Sequence, residues 1–115
     1  MTSLQHAYRK ELADYRVARA AGDCATAWHA LERGHIISQT MLLLHIHSHL
    51  MMLQYAIARR EWSEAAGQVI RLVLAPLGTL IGRIPIGNTG RANISPFAAM
   101  PVPKDIAALL NDVRK

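Results

Sequence analysis

The sequence predicts an all-α protein, because its apolar residues are of helix-favouring types and recur at helical spacing. Hydrophobic residues make up 51% of the 115 residues, whereas aromatic residues make up only 5%. The apolar content is therefore mainly Ala, Leu, Ile, Val and Met, which suits helix packing better than a sheet sandwich. Over most of the first 81 residues the apolar positions recur every three to four residues, as on one face of a helix.

Four helices are expected within residues 1–81. The first extends from about Ser3, as its N-cap, to Ala21, and the second from about Ala25 to Ser38, capped by Asp23. The third is predicted from about Thr40 to Ala58. It is apolar almost all round, so we expect it to be the central, buried helix. The fourth begins at about Trp62 and ends near Leu74 or continues past Pro76.

A break in the helix is expected between Ser38 and Thr40. A continuous helix from Cys24 to Arg60 would contain about 36 residues, which is long for a domain of this size. The strings ARAAGDCATAWHALERG and AIARREWSEAAGQVIRLV resemble each other. They predict a tetratricopeptide-like pair of helical hairpins.

The composition changes after the fourth helix. Residues 82–103 hold four of the five prolines and three of the seven glycines, which is typical of turns. So long an irregular segment in a compact domain is usually functional or wraps over the core. We therefore expect a wrapping segment over 82–103 and a short C-terminal helix over 104–115, with residues 1–115 forming a single domain.

Charge and composition argue against several classes of partner. The formal net charge is +5, but the basic residues are dispersed and not interleaved with aromatics, so nucleic-acid binding is not expected. The most apolar stretch, 69–86, is interrupted by Arg71, Pro76, Arg83 and Pro85, so no membrane span is expected. One cysteine and an N-terminus without an apolar leader predict a cytoplasmic protein.

Two of the predicted helices carry residue types that commonly act as metal ligands. Glu32 and His35 are three residues apart on the second helix, a spacing that presents a carboxylate and an imidazole to one ion. His45 and His49 are one turn apart on the third helix. If the chain reverses near residue 39, these four side chains meet. They predict a transition-metal site for zinc, iron or manganese, and Met41 and Met52 would shift the preference toward copper.

Other polar residues lie on the same predicted faces and would support these ligands. Those expected in a second shell are Gln39, Glu64, Gln68 and Arg71; Glu64 is also a reserve ligand or a partner for Arg71. His47 points away from the stripe of His45 and His49, and His6 and His29 are expected at the surface. Two alternatives stay open: a hydrogen-bonded Glu/His network without metal, and histidines exposed at a partner surface.

Several motifs together resemble one family, the mainly bacterial domain-of-unknown-function family numbered 3703. These motifs are LERGHIISQ (31–39), His45 and His49 followed by Met52, GQVIR (67–71), PIGNTG (85–90) and PFAAMPVP (96–103). The resemblance implies no activity. It implies that the predicted ligands and second shell belong together with Asn88, and that members occur near heavy-metal resistance genes. Where the family has Ala, this chain has Gly34.

The sequence thus favours a small metal-binding protein that handles or senses a metal and need not be an enzyme. One alternative is a tetratricopeptide-like interaction module in which the histidines are structural. Another is a small carboxylate/histidine metalloenzyme, which would need an open coordination position. A homodimer would cover the apolar third helix.

Overall fold

The computed structural model describes residues 2–81, 88–94 and 99–114 and contains five helices in those ranges. They are α1 (Ser3–Ala20), α2 (Cys24–Ser38), α3 (Leu42–Ala58), α4 (Trp62–Ile81) and α5 (Lys104–Arg114). No strand occurs among the described residues, and the predicted all-α class is confirmed. No helix in these ranges is both long and apolar enough to cross a lipid bilayer.

Side chains cap the first two helices. The N-cap of α1 is Thr2 and not Ser3 as predicted, because Thr2 and Gln5 form a reciprocal capping box. The prediction for α2 is confirmed, since the carboxylate of Asp23 accepts from the backbone N–H of Thr26 at 3.1 Å. Between the two helices Gly22 has φ +74°, a left-handed conformation that glycine adopts without steric cost.

The first hairpin packs α1 along α2. The buried face of α1 includes Tyr8, Leu12 and Tyr15. Arg33 of α2 donates to Glu11 of α1 at 2.8 Å. The same guanidinium group forms an ion pair with Asp105 of α5, which links α5 to this hairpin. The apolar anchor of α5 is Ile106, which is almost fully buried.

The predicted break between α2 and α3 is confirmed. Helix α2 ends at Ser38 and α3 begins at Leu42, with the N–H of Met41 donating to the carbonyl of Ser38 at 2.9 Å in the turn. This reversal brings the end of α2 beside the first half of α3. The helices then form a second hairpin of α3 and α4, which is consistent with the predicted pair of hairpins.

The prediction that α3 is the central, buried helix holds for one of its faces only. Leu43 is 81% exposed, and Leu50 and Ile57 are 41% and 48% exposed. The cause is the arrangement of its neighbours: within the described residues α3 packs closely against α2 and α4, while α1 reaches it through side-chain contacts such as that of Tyr8 with His47. Its buried face carries His45, His49, Met52, Tyr55 and Ala56, so the polar imidazoles lie inside while several leucines face outward.

Helix α4 continues past Pro76 to Ile81, the longer of the two predicted alternatives. After it, residues 88–94 and 99–103 are irregular, as expected for a wrapping segment, while 82–87 and 95–98 lie outside the described residues. Residues 88–94, here called the covering loop, lie against α4 and the end of α2. A Cβ atom added to Gly67 would collide with Ala92, so glycine permits this close approach.

Candidate metal centre

Three buried imidazoles meet between α2 and α3. The Nε2 atom of His35 lies 3.1 Å from that of His45 and 3.1 Å from that of His49, and the latter two are 3.3 Å apart. The three side chains lie at most 7% exposed. No other group of three His, Cys, Asp or Glu side chains within the described ranges could hold a metal ion.

The backbone geometry explains this convergence. His45 and His49 are four residues apart on α3, so their side chains lie one above the other on the same face. His35 occupies the last turn of α2, which the tight reversal places opposite them. Three residues separated in sequence therefore direct the same ring atom to one point.

Hydrogen bonds on the far side of two rings determine where their hydrogens lie. The Nδ1 atom of His35 lies 2.7 Å from the carbonyl oxygen of Asn88, which can only accept. The Nδ1 atom of His49 lies 2.7 Å from Oε1 of Gln68. That amide is oriented because its Nε2 donates to Glu64 and to the carbonyl of Gly90, both at 2.8 Å. Both imidazoles therefore carry hydrogen on Nδ1, and their Nε2 atoms carry lone pairs.

With the hydrogens on Nδ1, the lone pairs of His35 and His49 face each other at the centre of the cluster. Two lone pairs 3.1 Å apart repel each other unless a positive group lies between them. His45 can supply one hydrogen from its Nε2, which serves the lone pair of His35 or of His49; its buried Nδ1 has no partner in the described structure in either tautomer. A single cation would interact with all three lone pairs at once.

The three imidazoles are neutral near pH 7. Burial, reinforced by the neighbouring His49, lowers the pKa of His45 to about 4, and burial lowers that of His49 to about 4. Burial and the two adjacent imidazoles lower the pKa of His35 well below its usual range. Neutral imidazole is the form that coordinates metal ions, so no proton has to be displaced from a charged ring at this pH.

The spacing of the nitrogens suits a metal ion. Metal–nitrogen distances of about 2.0–2.1 Å in a tetrahedral site imply nitrogen–nitrogen separations of roughly 3.3–3.4 Å. The observed separations of 3.1–3.3 Å approach this value. Three protein ligands on one face of a tetrahedron leave a fourth position for water or another ligand.

A partly buried ion pair supports the Gln68 amide. Glu64 accepts from Nε of Arg91 at 2.6 Å and from the backbone N–H of Ala92 at 2.8 Å. Burial alone would raise the pKa of Glu64, but the hydrogen bonds from Arg91, Gln68 and Ala92 outweigh it and hold the pKa below its usual value. The guanidinium of Arg91 stacks 3.8 Å from the ring centroid of Trp28.

Glu32, the predicted fourth ligand, lies outside the histidine group. Its carboxylate is directed toward Arg91, with an oxygen 4.0 Å from the guanidinium. Burial raises the pKa of Glu32, and the charge of Arg91 opposes part of that shift. The histidine group thus contains three of the four predicted ligands, without Glu32.

The four residues predicted to support the ligands do not all contact the imidazoles. Gln68 contacts His49 directly, and Glu64 acts through Gln68 and pairs with Arg91 instead of Arg71. Arg71 donates to the carbonyls of Gly67 and Ile94 and not to an imidazole. Gln39 is buried at the turn between α2 and α3.

The remaining side chains of the predicted cluster lie elsewhere. Met52 is completely buried in the apolar core, and Met41 packs against that core. His47 points away from the centre, as predicted, and its Nδ1 lies 2.7 Å from the hydroxyl of Tyr8. His6 and His29 are exposed, as predicted.

The covering loop contributes residues that sequence patterns did not single out. Gly90 has φ +81°, and a Cβ atom there would lie 2.7 Å from Cδ2 of His35, so the loop rests on that ring. Arg91 supplies the charge opposite Glu64. Asn88 was associated with the site only through the family resemblance. The GNTGR string signals a turn, but no periodicity indicates which helix the turn contacts.

Comparisons with known proteins identify a family. No curated protein and no solved structure matches the chain. Residues 2–110 match the family described as a protein of unknown function, DUF3703, and this range includes all three histidines, Gln68 and the covering loop. The chain therefore belongs to the family of proteins of unknown function numbered 3703.

Proposed function

We propose that this protein binds one transition-metal ion through the Nε2 atoms of His35, His45 and His49. The observation that supports this proposal is the convergence of three buried Nε2 atoms within 3.1–3.3 Å while outer hydrogen bonds hold the hydrogens of two rings on Nδ1. A hydrogen-bonded histidine network would place a single hydrogen, on Nε2 of His45, among the three converging nitrogens, whereas a cation would interact with all three lone pairs.

Zinc is the metal that the donor set favours. Three imidazoles suit Zn(II), Cu(II), Fe(II) and Ni(II), and a tetrahedral arrangement is typical of zinc. No thiolate belongs to the group, and Met52 is occupied in the core, which removes the argument for Cu(I). Iron and copper remain alternatives that metal analysis would distinguish.

The fourth coordination position distinguishes two roles. In zinc enzymes three protein ligands commonly leave that position for a reactive water. A binding or sensing protein needs no access for substrate. Because each of the three imidazoles is at least nine-tenths buried, we propose metal binding or handling as the function, with catalysis as the alternative.

Elemental analysis of protein purified without chelators tests the proposal. We expect about one ion per chain in the wild type and none in the double variant His45→Ala with His49→Ala. The matched control is His6→Ala with His29→Ala, which removes two exposed imidazoles. Circular dichroism of the metal-free proteins establishes that each variant is folded.

Cobalt substitution gives a second measurement that does not depend on the variants. Loading the wild-type protein with Co(II) should produce the intense visible absorption of a four-coordinate site, and added Zn(II) should remove it. A wild-type protein that is folded, contains no ion and gives no cobalt spectrum would contradict the proposal.

A protein-interaction role is the second candidate, favoured by apolar side chains on the surface of α4. Trp62, Val69, Ile70 and Val73 are each more than half exposed, and such a contiguous stripe on a helix is typical of an interface. We propose that the occupant is a second copy of the chain, because two identical apolar stripes can cover each other across a two-fold axis. Sedimentation velocity would show a dimer that Val69→Glu with Val73→Glu converts to a monomer.

A further inference from the structure

A cleft separate from the histidine cluster lies between α1 and α3. It has a volume of about 770 Å³, within the range of small-molecule sites. The lining residues of α3 are Leu44 and His47, and those of α1 are Gln5, Tyr8, Arg9, Leu12 and Arg16. Since His47 points away from His45 and His49, α3 has the cleft on one side and the candidate metal centre on the other.

The charge of the cleft is entirely positive. Arg9 and Arg16 both line it, are exposed, and make no ion pair or hydrogen bond within the described ranges. None of the described lining residues is an acid. Four other cations of the described ranges differ in this respect, since Lys10, Arg33, Arg59 and Arg91 are each paired with a carboxylate. Guanidinium groups without an internal partner are well suited to bind carboxylates in a bidentate manner.

The deep wall of the cleft provides a fixed polar group. Tyr8 is 2% exposed, and burial raises the pKa of its hydroxyl, so the hydroxyl keeps its hydrogen at neutral pH. When that hydroxyl donates to Nδ1 of His47 at 2.7 Å, the hydrogen of His47 lies on Nε2. His47, which lines the cleft, then carries an N–H donor in addition to the two guanidinium groups.

Apolar side chains line the cleft as well, and one of them, Leu12, lies between Arg9 and Arg16 on α1. Leu12 is buried and Leu44 is half-buried, and both line the cleft. Arg9 and Arg16 are seven residues apart on α1, or about 10 Å along the helix axis. A ligand that satisfied both guanidinium groups would need two separated anionic groups and an apolar middle.

We propose that this cleft binds an elongated organic dicarboxylate. One carboxylate pairs with Arg9 and the other with Arg16, while the chain between them covers Leu12 and Leu44. The site is independent of the metal centre, because none of its lining residues belongs to the histidine group or its outer hydrogen bonds.

Isothermal titration calorimetry with the full-length protein tests the proposal. The probes are glutarate, suberate and sebacate, with octanoate as the monoanionic control and suberamide as the neutral control. We expect binding to depend on chain length and to be strongest for the diacid that spans the two arginines. Loss of one charge-assisted hydrogen-bonded pair should weaken binding about tenfold, so octanoate and suberamide should bind correspondingly less well.

Variants identify the binding residues. Arg9→Gln and Arg16→Gln should each weaken binding of the best diacid about tenfold. Lys104→Gln removes the same charge from an exposed position outside the cleft and should change it less than about twofold. No binding by any diacid, equal binding of octanoate, or an equal loss in Lys104→Gln would each overturn the proposal.

Discussion

Replacing Gly90 with alanine tests whether the covering loop determines metal affinity. The added Cβ atom would lie 2.7 Å from Cδ2, 2.8 Å from Cγ and 3.0 Å from Nε2 of His35. These distances are shorter than normal contacts, so either the ring or the loop must move. Movement of the loop would break the hydrogen bond from His35 to Asn88 and the one from Gln68 to Gly90.

The expected cost has two parts. An alanine at φ +81° costs roughly 1–2 kcal/mol, and each lost hydrogen bond costs about 1 kcal/mol. We therefore expect the free energy of unfolding of the metal-free protein to fall by about 2–4 kcal/mol. Loss of outer-shell hydrogen bonds typically reduces metal affinity about 10–100-fold, and we expect a decrease in that range for Zn(II).

The matched control is Gly22→Ala. Gly22 also has positive φ, +74°, but nothing lies within 4 Å of its added Cβ atom. This variant should lose about 1–2 kcal/mol of stability and keep its metal affinity. Urea denaturation measures the stability, and competition with a chromophoric chelator measures the affinity. Wild-type zinc affinity in folded Gly90→Ala, or an equal loss of affinity in Gly22→Ala, would refute this reasoning.

Three further predictions concern pH, the outer hydrogen bonds and helix α2. Because the folded-state pKa values of His45 and His49 are about 4, below the unfolded value of about 6.5, the unfolded chain binds more protons as pH falls. The metal-free protein should therefore keep its full stability above about pH 6.5 and lose it toward pH 4, which urea titrations would show; a flat profile would contradict the neutral cluster. Gln68→Ala should weaken zinc binding about 10–100-fold in the chelator assay. The control Gln54→Ala, at an exposed position of α3, should leave zinc binding unchanged. Equal zinc affinities of these two variants would exclude a role for the Gln68 amide. Gly34→Ala should stabilise the protein by up to about 1 kcal/mol, since its Cβ atom would lie 3.4 Å from Tyr8 and 3.7 Å from Glu11; thermal melting would show the rise, and a decrease would mean that these neighbours do not adjust.

The histidine cluster could be predicted because local rules determine it. Helical periodicity places His45 and His49 on one face, and the expected length of helices indicates the break after Ser38. Together these two inferences bring His35 opposite the other two rings. The helix boundaries followed from caps and turns in the same way, with Thr2 replacing Ser3 because the capping box reaches one residue further back.

The outer hydrogen bonds could not be predicted from these rules. Asn88, Gly90 and Arg91 lie in an irregular segment, where no periodicity indicates what a side chain contacts. The departure of Glu32 from the predicted set has the same origin, since its carboxylate faces a guanidinium whose position depends on that segment. The exposure of Leu43 was missed for a related reason: apolar composition does not reveal how many neighbours a helix has.

The order of the contacts along the chain has a consequence for biosynthesis. The three imidazoles lie between residues 35 and 49, whereas the groups that orient two of them, Gln68 and Asn88, come later in the chain. A ribosome therefore makes the coordinating nitrogens well before the groups that fix their tautomers. We expect tight metal loading to wait until the second half of the chain has emerged and docked, so that a nascent chain ending near residue 60 would hold its ion weakly.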